Sequence, residues 1–155
     1  MTKNLLTAAF LICCSALLQA QTAPVPWFPS GTLVLGGRVV NCGSTITVYD
    51  ETLTDAIHMD GQGHILMNPK WFAEAPPLLQ FWRYGHECGH YMAGKDEAAA
   101  DCWAVKYGEK QGWFSVEDFP KLKLIFASEK LETDHIPSKQ RVDAMETCFV
   151  SRTGS

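Results

Sequence analysis

A chain of 155 residues with 13 basic and 17 acidic side chains, 46% of it hydrophobic, has the length and the apolar content for one globular domain with a single modest core. Its acidic balance offers no basic patch or stripe, which excludes nucleic acid and an anionic membrane surface as partners. It carries no internal repeats and no low-complexity tracts.

At the N-terminus, Lys3 precedes an apolar run from Leu5 to Leu18, and the small residue Ala20 follows, which together give the three regions of a secretory signal peptide. Cleavage is expected after Ala20, with Ala23 as the alternative, and the apolar run is too short to span a bilayer comfortably. Cys13 and Cys14 lack the small preceding residue expected of a lipidated cysteine. The expected organisation is a signal peptide over 1–20, a Pro-rich lead-in over 21–30 and a single domain over 31–155. The mature chain is expected to be secreted or periplasmic, with no stable membrane insertion after signal removal.

The lead-in is expected to be extended or disordered. Short strands follow over 32–35, 38–42 and 44–49, punctuated by Gly36-Gly37 and Gly43. Asp60-Gly61-Gln62-Gly63 predicts a hairpin turn between strands at 56–59 and 64–68. His58 and His64 read as strand or surface histidines. Pro76-Pro77 then opens a helix over about 77–93, which Gly94 stops; Leu78, Leu79, Phe81, Trp82, Tyr84 and Tyr91 supply an apolar surface for it. Gly85 and Gly89 each cost a helix interior roughly 1 kcal/mol against Ala, so they imply close approach of another backbone or a roomy site.

That helix carries His86-Glu87-Cys88-Gly89-His90. Residues four apart stand one above the other on a helix, so both imidazoles can bind one Zn²⁺ while Glu87 reaches a water beside it. A hydrolytic zinc site takes three protein ligands and leaves the fourth position open, so a third donor is expected nearby. Asp96, Glu97 and Asp101 are the candidates. Asp96 is placed to cap a second helix over about 97–110, on which Glu97 and Asp101 stand four apart on one face. Further helices are expected from Ser115 through Leu122, Leu124, Ile125 and Phe126, and from Ser138 through Val142, Met145 and Phe149, all read as core packing.

The two histidines and Glu87, followed by Glu97-Ala98-Ala99-Ala100-Asp101-Cys102-Trp103-Ala104, resemble the His-Glu-x-x-His and Glu-x-x-Ala-Asp-x-x-Ala signatures of the gluzincin zinc metallopeptidases. His135-Ile136-Pro137-Ser138-Lys139-Gln140-Arg141 is similar to the His-Pro-x-x-x-x-Arg element of the branch that includes the CAAX prenyl endopeptidases, with the proline displaced by one residue. The resemblance implies His86, His90 and Glu97 as ligands of one Zn²⁺, Glu87 as general base, and Asp101 as hydrogen-bond partner of a ligand imidazole. It implies for His135 and Arg141 a place at the cleft, stabilising an oxyanion or holding the site together. It further implies an edge strand before the active helix that pairs with an extended peptide, and 65–68 is the segment expected there. The gap between His90 and Glu97 is shorter than usual in that family. Asp96 therefore stays an alternative third ligand on metzincin-like spacing, although Ala93 stands where that pattern has Gly and no methionine marks an obvious turn.

Without the signal segment four cysteines remain, Cys42, Cys88, Cys102 and Cys148, an even set that in an oxidising compartment predicts two disulfides. Three pairings are open, and a Cys88–Cys102 bond would staple the two ligand-bearing helices. Cys88 points about 160° away from the histidine stripe, so it is a poor metal ligand.

The sequence thus predicts a compact α+β domain, a small N-terminal β-sheet packed on the active helix with more helices behind it. The expected activity is zinc-dependent hydrolysis of peptide bonds in a peptide or protein substrate. A secreted zinc-containing binding module and an amidase of cell-wall peptides are the alternatives. Substrate specificity and oligomeric state stay open.

Overall fold

A computed structural model describes residues 25–128 and 139–150; the expected signal segment, residues 21–24 of the lead-in and His135 lie outside the described residues. The fold is α+β. Six strands come first: β1 (Trp27–Pro29), β2 (Leu33–Leu35), β3 (Arg38–Val40), β4 (Ile46–Tyr49), β5 (Ile57–Met59) and β6 (Ile65–Met67). Helices α1 (Pro69–Glu74), α2 (Pro77–Ala93), α3 (Glu97–Lys110), α4 (Phe119–Ser128) and α5 (Lys139–Val150) follow.

One sheet has the order β1-β4-β6-β5, with β4 and β6 parallel and the outer pairs antiparallel, while β2 and β3 form a separate hairpin turned by Gly36 and Gly37 at positive φ. Thr47, Ile57, Ile65 and Met67 fall on one face by the period of two and are buried towards the helices. The end of the lead-in is therefore a strand, since Trp27 to Pro29 pair with β4. The expected edge at 65–68 is corrected: β6 is hydrogen-bonded on both sides, and β5 is the edge beside α2. The loop after β4 carries the chain beyond the position of β6, so the second hairpin strand returns into the gap.

Helix α1 is unanticipated. Asn68 caps it by accepting from the Lys70 and Trp71 amides, and Pro69 occupies the first turn, where a missing N–H costs nothing. The bounds of α2 and α3 match the expected ones, with Pro77 in the first turn, Gly94 at φ 90° past the end, and Asp96 accepting from the Ala99 amide at 2.7 Å.

The two glycines of α2 record a close helix pair. A Cβ on Gly89 would stand 2.5 Å from the Ala100 carbonyl oxygen, and one on Gly85 would stand 3.3 Å from the Ala104 Cβ. Helices α4 and α5 complete the core through Phe119, Leu122, Phe126, Val142, Met145 and Phe149, and the Trp82 indole N–H donates to the Met145 sulfur at 3.0 Å. Leu124 departs from the expected packing: it is 72% exposed on the outer face of α4.

The disulfides join Cys42 to Cys88 and Cys102 to Cys148, with Cα separations of 5.5 and 5.7 Å, which removes the expected Cys88–Cys102 staple. The reason is rotational. Cys102 lies about 160° round α3 from Ala104, which faces α2, so it points to α5 instead. Two disulfides indicate a non-cytoplasmic protein, and among the described residues no helix is long and apolar enough to cross a membrane.

Replacing Gly89 with Ala should force α2 and α3 apart at Ala100 and destabilise the fold by about 1–3 kcal/mol, the usual range for overpacking a tight contact. Urea titration of the oxidised protein measures this; a change below about 0.5 kcal/mol would show that the pair is looser than described.

Candidate metal centre

His86 and His90 project from one face of α2 because they stand four residues apart, and the turn at Gly94 folds α3 back so that Glu97, its first residue, meets them. The His86 and His90 Nε2 atoms lie 3.0 Å apart, and the Glu97 carboxylate oxygens stand 3.2 Å from the first and 3.4 Å from the second. These three residues form a group that can hold a metal ion.

The opposite sides of the two rings show why. His86 Nδ1 lies 2.8 Å from Asp101 Oδ1, and His90 Nδ1 lies 3.0 Å from the Gly94 carbonyl. A carbonyl and a carboxylate only accept, so each Nδ1 carries the proton and each Nε2 of a neutral ring presents a lone pair. Burial pushes the His86 pKa down despite Asp101 beside it, which favours the neutral ring. Three acceptors therefore converge with no donor among them, an arrangement that a cation at their centre satisfies. Donors bound at about 2.1 Å in tetrahedral geometry stand about 3.4 Å apart, so the observed separations fit such an ion with one coordination position left over.

A chain of carboxylates and cations backs the donors. Asp101, 3% exposed, accepts from His86 and is gripped by Arg141 of α5, whose Nε and Nη2 lie 2.7 and 2.9 Å from its two oxygens. The same Nη2 reaches Glu97 Oε2 at 3.2 Å. Arg141 thus orients one ligand directly and another through Asp101, which fixes both before a metal arrives. Asp96 does not join the donors; its side chain is spent on capping α3.

Glu87 follows His86 on α2 and is buried, so desolvation pushes its pKa up to about 8, with the Glu97 and Asp55 carboxylates adding to the rise. A main-chain N–H from Met59 on β5 and the nearby Arg83 guanidinium act in the opposite sense. A positive charge at the donor triad would move Glu87 the same way, back towards the carboxylate. Glu87 is therefore a buried carboxyl whose charge state responds to the charge at the donor triad.

All the expected ligands come together here, as do Asp101 and Arg141. Sequence reasoning missed the Gly94 carbonyl and the Met59 amide. The first had a signal, since Gly94 lies four residues after His90 and ends the same helix; the second had none, because no spacing links β5 to α2.

In the metal-free protein the raised Glu87 pKa makes folding bind a proton that the unfolded chain, with an ordinary glutamate, has already released. Stability contributed by that group is present in full below about pH 4.5 and is lost as pH rises through about 8, by an amount on the order of several kcal/mol. Denaturation of chelator-treated protein across this window should show the decline, and Glu87→Gln should flatten it. Parallel profiles for the two proteins would show that Glu87 is not desolvated.

No protein-family model, no curated protein and no solved structure matches the chain, so what the centre can do follows from its own geometry.

Proposed function

We propose that the protein is a zinc-dependent peptidase of the gluzincin type, with His86, His90 and Glu97 as ligands, acting outside the cytoplasm. The observation that carries this reading is the convergence of three lone-pair donors, each Nε2 turned inward by an acceptor behind its ring, with a buried carboxylic acid at the next position on the helix. The set of two imidazoles and one carboxylate suits Zn²⁺ and leaves one position open. When bound, Zn²⁺ supplies Lewis acidity, polarising a carbonyl and acidifying water.

The chain's own residues do the rest. Glu87 takes a proton from the attacking water and delivers it to the leaving amine nitrogen. Its burial suits both halves of that exchange, because a pKa near the working pH lets one group accept and then donate. Asp101 and Arg141 are positioning residues that hold His86 and Glu97 in register. Edge strand β5 supports a peptide substrate: its register with β6 turns the main chain of Ile57 outwards, beside α2, where an extended chain can add as a further strand, while the Met59 N–H on the same edge is taken by Glu87.

Disulfide-intact mature protein and its Glu87→Gln variant, each with and without a chelator, should be tested on a mixed peptide library. The expected result is cleavage by the wild type alone, abolished by chelator, with turnover of the variant lower by at least about a hundredfold while metal analysis finds one zinc in both. Zinc retained with no cleavage by either protein would overturn the peptidase reading in favour of a binding module. Asp101→Asn should lower zinc affinity about 10- to 100-fold in a chelator competition, since it removes the anion behind His86 and beneath Arg141. Unchanged affinity would sink the positioning role.

A further inference from the structure

Helix α3 has a second chemical face. Glu97, Ala100, Asp101 and Ala104 turn towards α2 and α5, whereas Trp103, Lys106 and Lys110 project from the opposite side, at about 100° per residue. There a groove of about 360 Å³ opens between the end of α2 and α3, lined by Ala93, Cys102, Trp103, Lys106, Tyr107 and Lys110. Its floor is aromatic and fixed: the Trp103 and Tyr107 rings stack at 4.4 Å with 17° between their planes, and the Tyr107 hydroxyl donates to the Asn41 side chain. Both rings are half-buried against the core, so the platform does not have to be ordered when something lands on it.

The charge on this face is unbalanced. Neither Lys106 nor Lys110 forms an ion pair with any carboxylate among the described residues, although the chain as a whole has a formal net charge of −4. Glu109 stands three residues after Lys106 and about 60° round from it, and about 100° round from Lys110, so one carboxylate offsets part of the charge of two lysines without pairing with either. By contrast, Lys70 pairs with Glu51, Lys121 with Asp118, and Lys123 with Asp143 and Glu146. Two ammonium groups outside any ion pair, over an aromatic floor, favour a ligand with carboxylates flanking a flat or apolar group. Two lysines on a chain of formal net charge −4 fall short of the basic stripe that a nucleic-acid backbone requires, which leaves a short acidic segment as the occupant.

We propose that this groove is a docking site for an acidic peptide segment bearing an aromatic side chain, with the ring on Trp103 and Tyr107 and the carboxylates at Lys106 and Lys110. It lies on the far side of α3 from the donor triad, so it holds a polypeptide away from the metal centre and works whether or not that centre hydrolyses anything. Stacking on the aromatic floor supplies contact area, and the lysines supply sign selectivity and faster association.

The test is fluorescence anisotropy of a labelled Glu-Glu-Phe-Glu-Glu peptide, and of its Lys-Lys-Phe-Lys-Lys counterpart, with the full mature Glu87→Gln protein, which blocks turnover. Binding of the acidic peptide should weaken about tenfold in Lys106→Glu/Lys110→Glu, weaken with added salt, and survive chelator unchanged. The basic peptide should not bind. Trp103→Leu should lose affinity without changing the salt dependence, and the double lysine variant, altered only on the surface, keeps the test valid if Trp103→Leu does not fold. Equal affinity in the double variant, equal binding of the two peptides, or loss of binding with chelator would each overturn the proposal, the last by placing the peptide on the metal centre instead.

Discussion

The contact of α2 with α3 at Gly89 and Ala100 is the constraint on which the candidate metal centre depends. With no side chain on Gly89, the backbone of α3 comes so near that a single methyl group would meet the Ala100 carbonyl. Only at that distance can Glu97, on the first turn of α3, reach both Nε2 atoms. Its carboxylate is short, and the chain between His90 and Glu97 leaves little slack. A wider helix pair, of the kind two leucines would set, would carry Glu97 out of reach by about the thickness of a side chain. The glycines cost helix stability, and the gain is a ligand set drawn from two helices instead of a loop.

Electrostatics then fixes what packing brings near. Glu97, Asp101 and Glu87 are three carboxylates close together, which without compensation would repel one another. They are handled differently. Arg141 neutralises Asp101 with two parallel hydrogen bonds and touches Glu97, so that pair stays oriented. Glu87 has the Met59 amide and the nearby Arg83 for relief, and burial makes it the group that takes up a proton. The centre thus separates a carboxylate that orients, one that can bind a cation and one that can exchange a proton, by environment alone.

Much of this was legible in the sequence because it is local. The bounds of α2 and α3 follow from Pro77, Gly94 and Asp96, residues whose backbone preferences act within one turn. The histidine stripe and the Glu97/Asp101 face follow from helical period. Gly85 and Gly89 announced a close approach without naming the partner. What could not be read is pairing at a distance: β5 and β6 were both visible, but their order in the sheet depends on how the loop after β4 runs. Helix α1 was legible in principle, since Asn68-Pro69 is a cap followed by a first-turn proline, and six residues of helix leave too little periodicity to stand out. Leu124 shows the limit of hydrophobicity as a signal, because an exposed leucine on a short helix violates no rule.

The disulfides show how the centre is held from outside. Cys88 follows Glu87 and Cys102 follows Asp101, so each bond attaches next to a carboxylate of the site, yet neither joins the ligand helices to each other. Cys42–Cys88 fixes the rotation of α2 against the strand layer, which keeps Glu87 at the Met59 amide. Cys102–Cys148 fixes α5 on α3, which keeps Arg141 over Asp101. Each closes a loop of sequence separation 46, worth about 4 kcal/mol in chain entropy, a large share of the stability of a domain this small. The bonds therefore act on different parts of the site: the first on Glu87, the second on Arg141 and Asp101, while the helix contact that sets the donor spacing is left to packing alone.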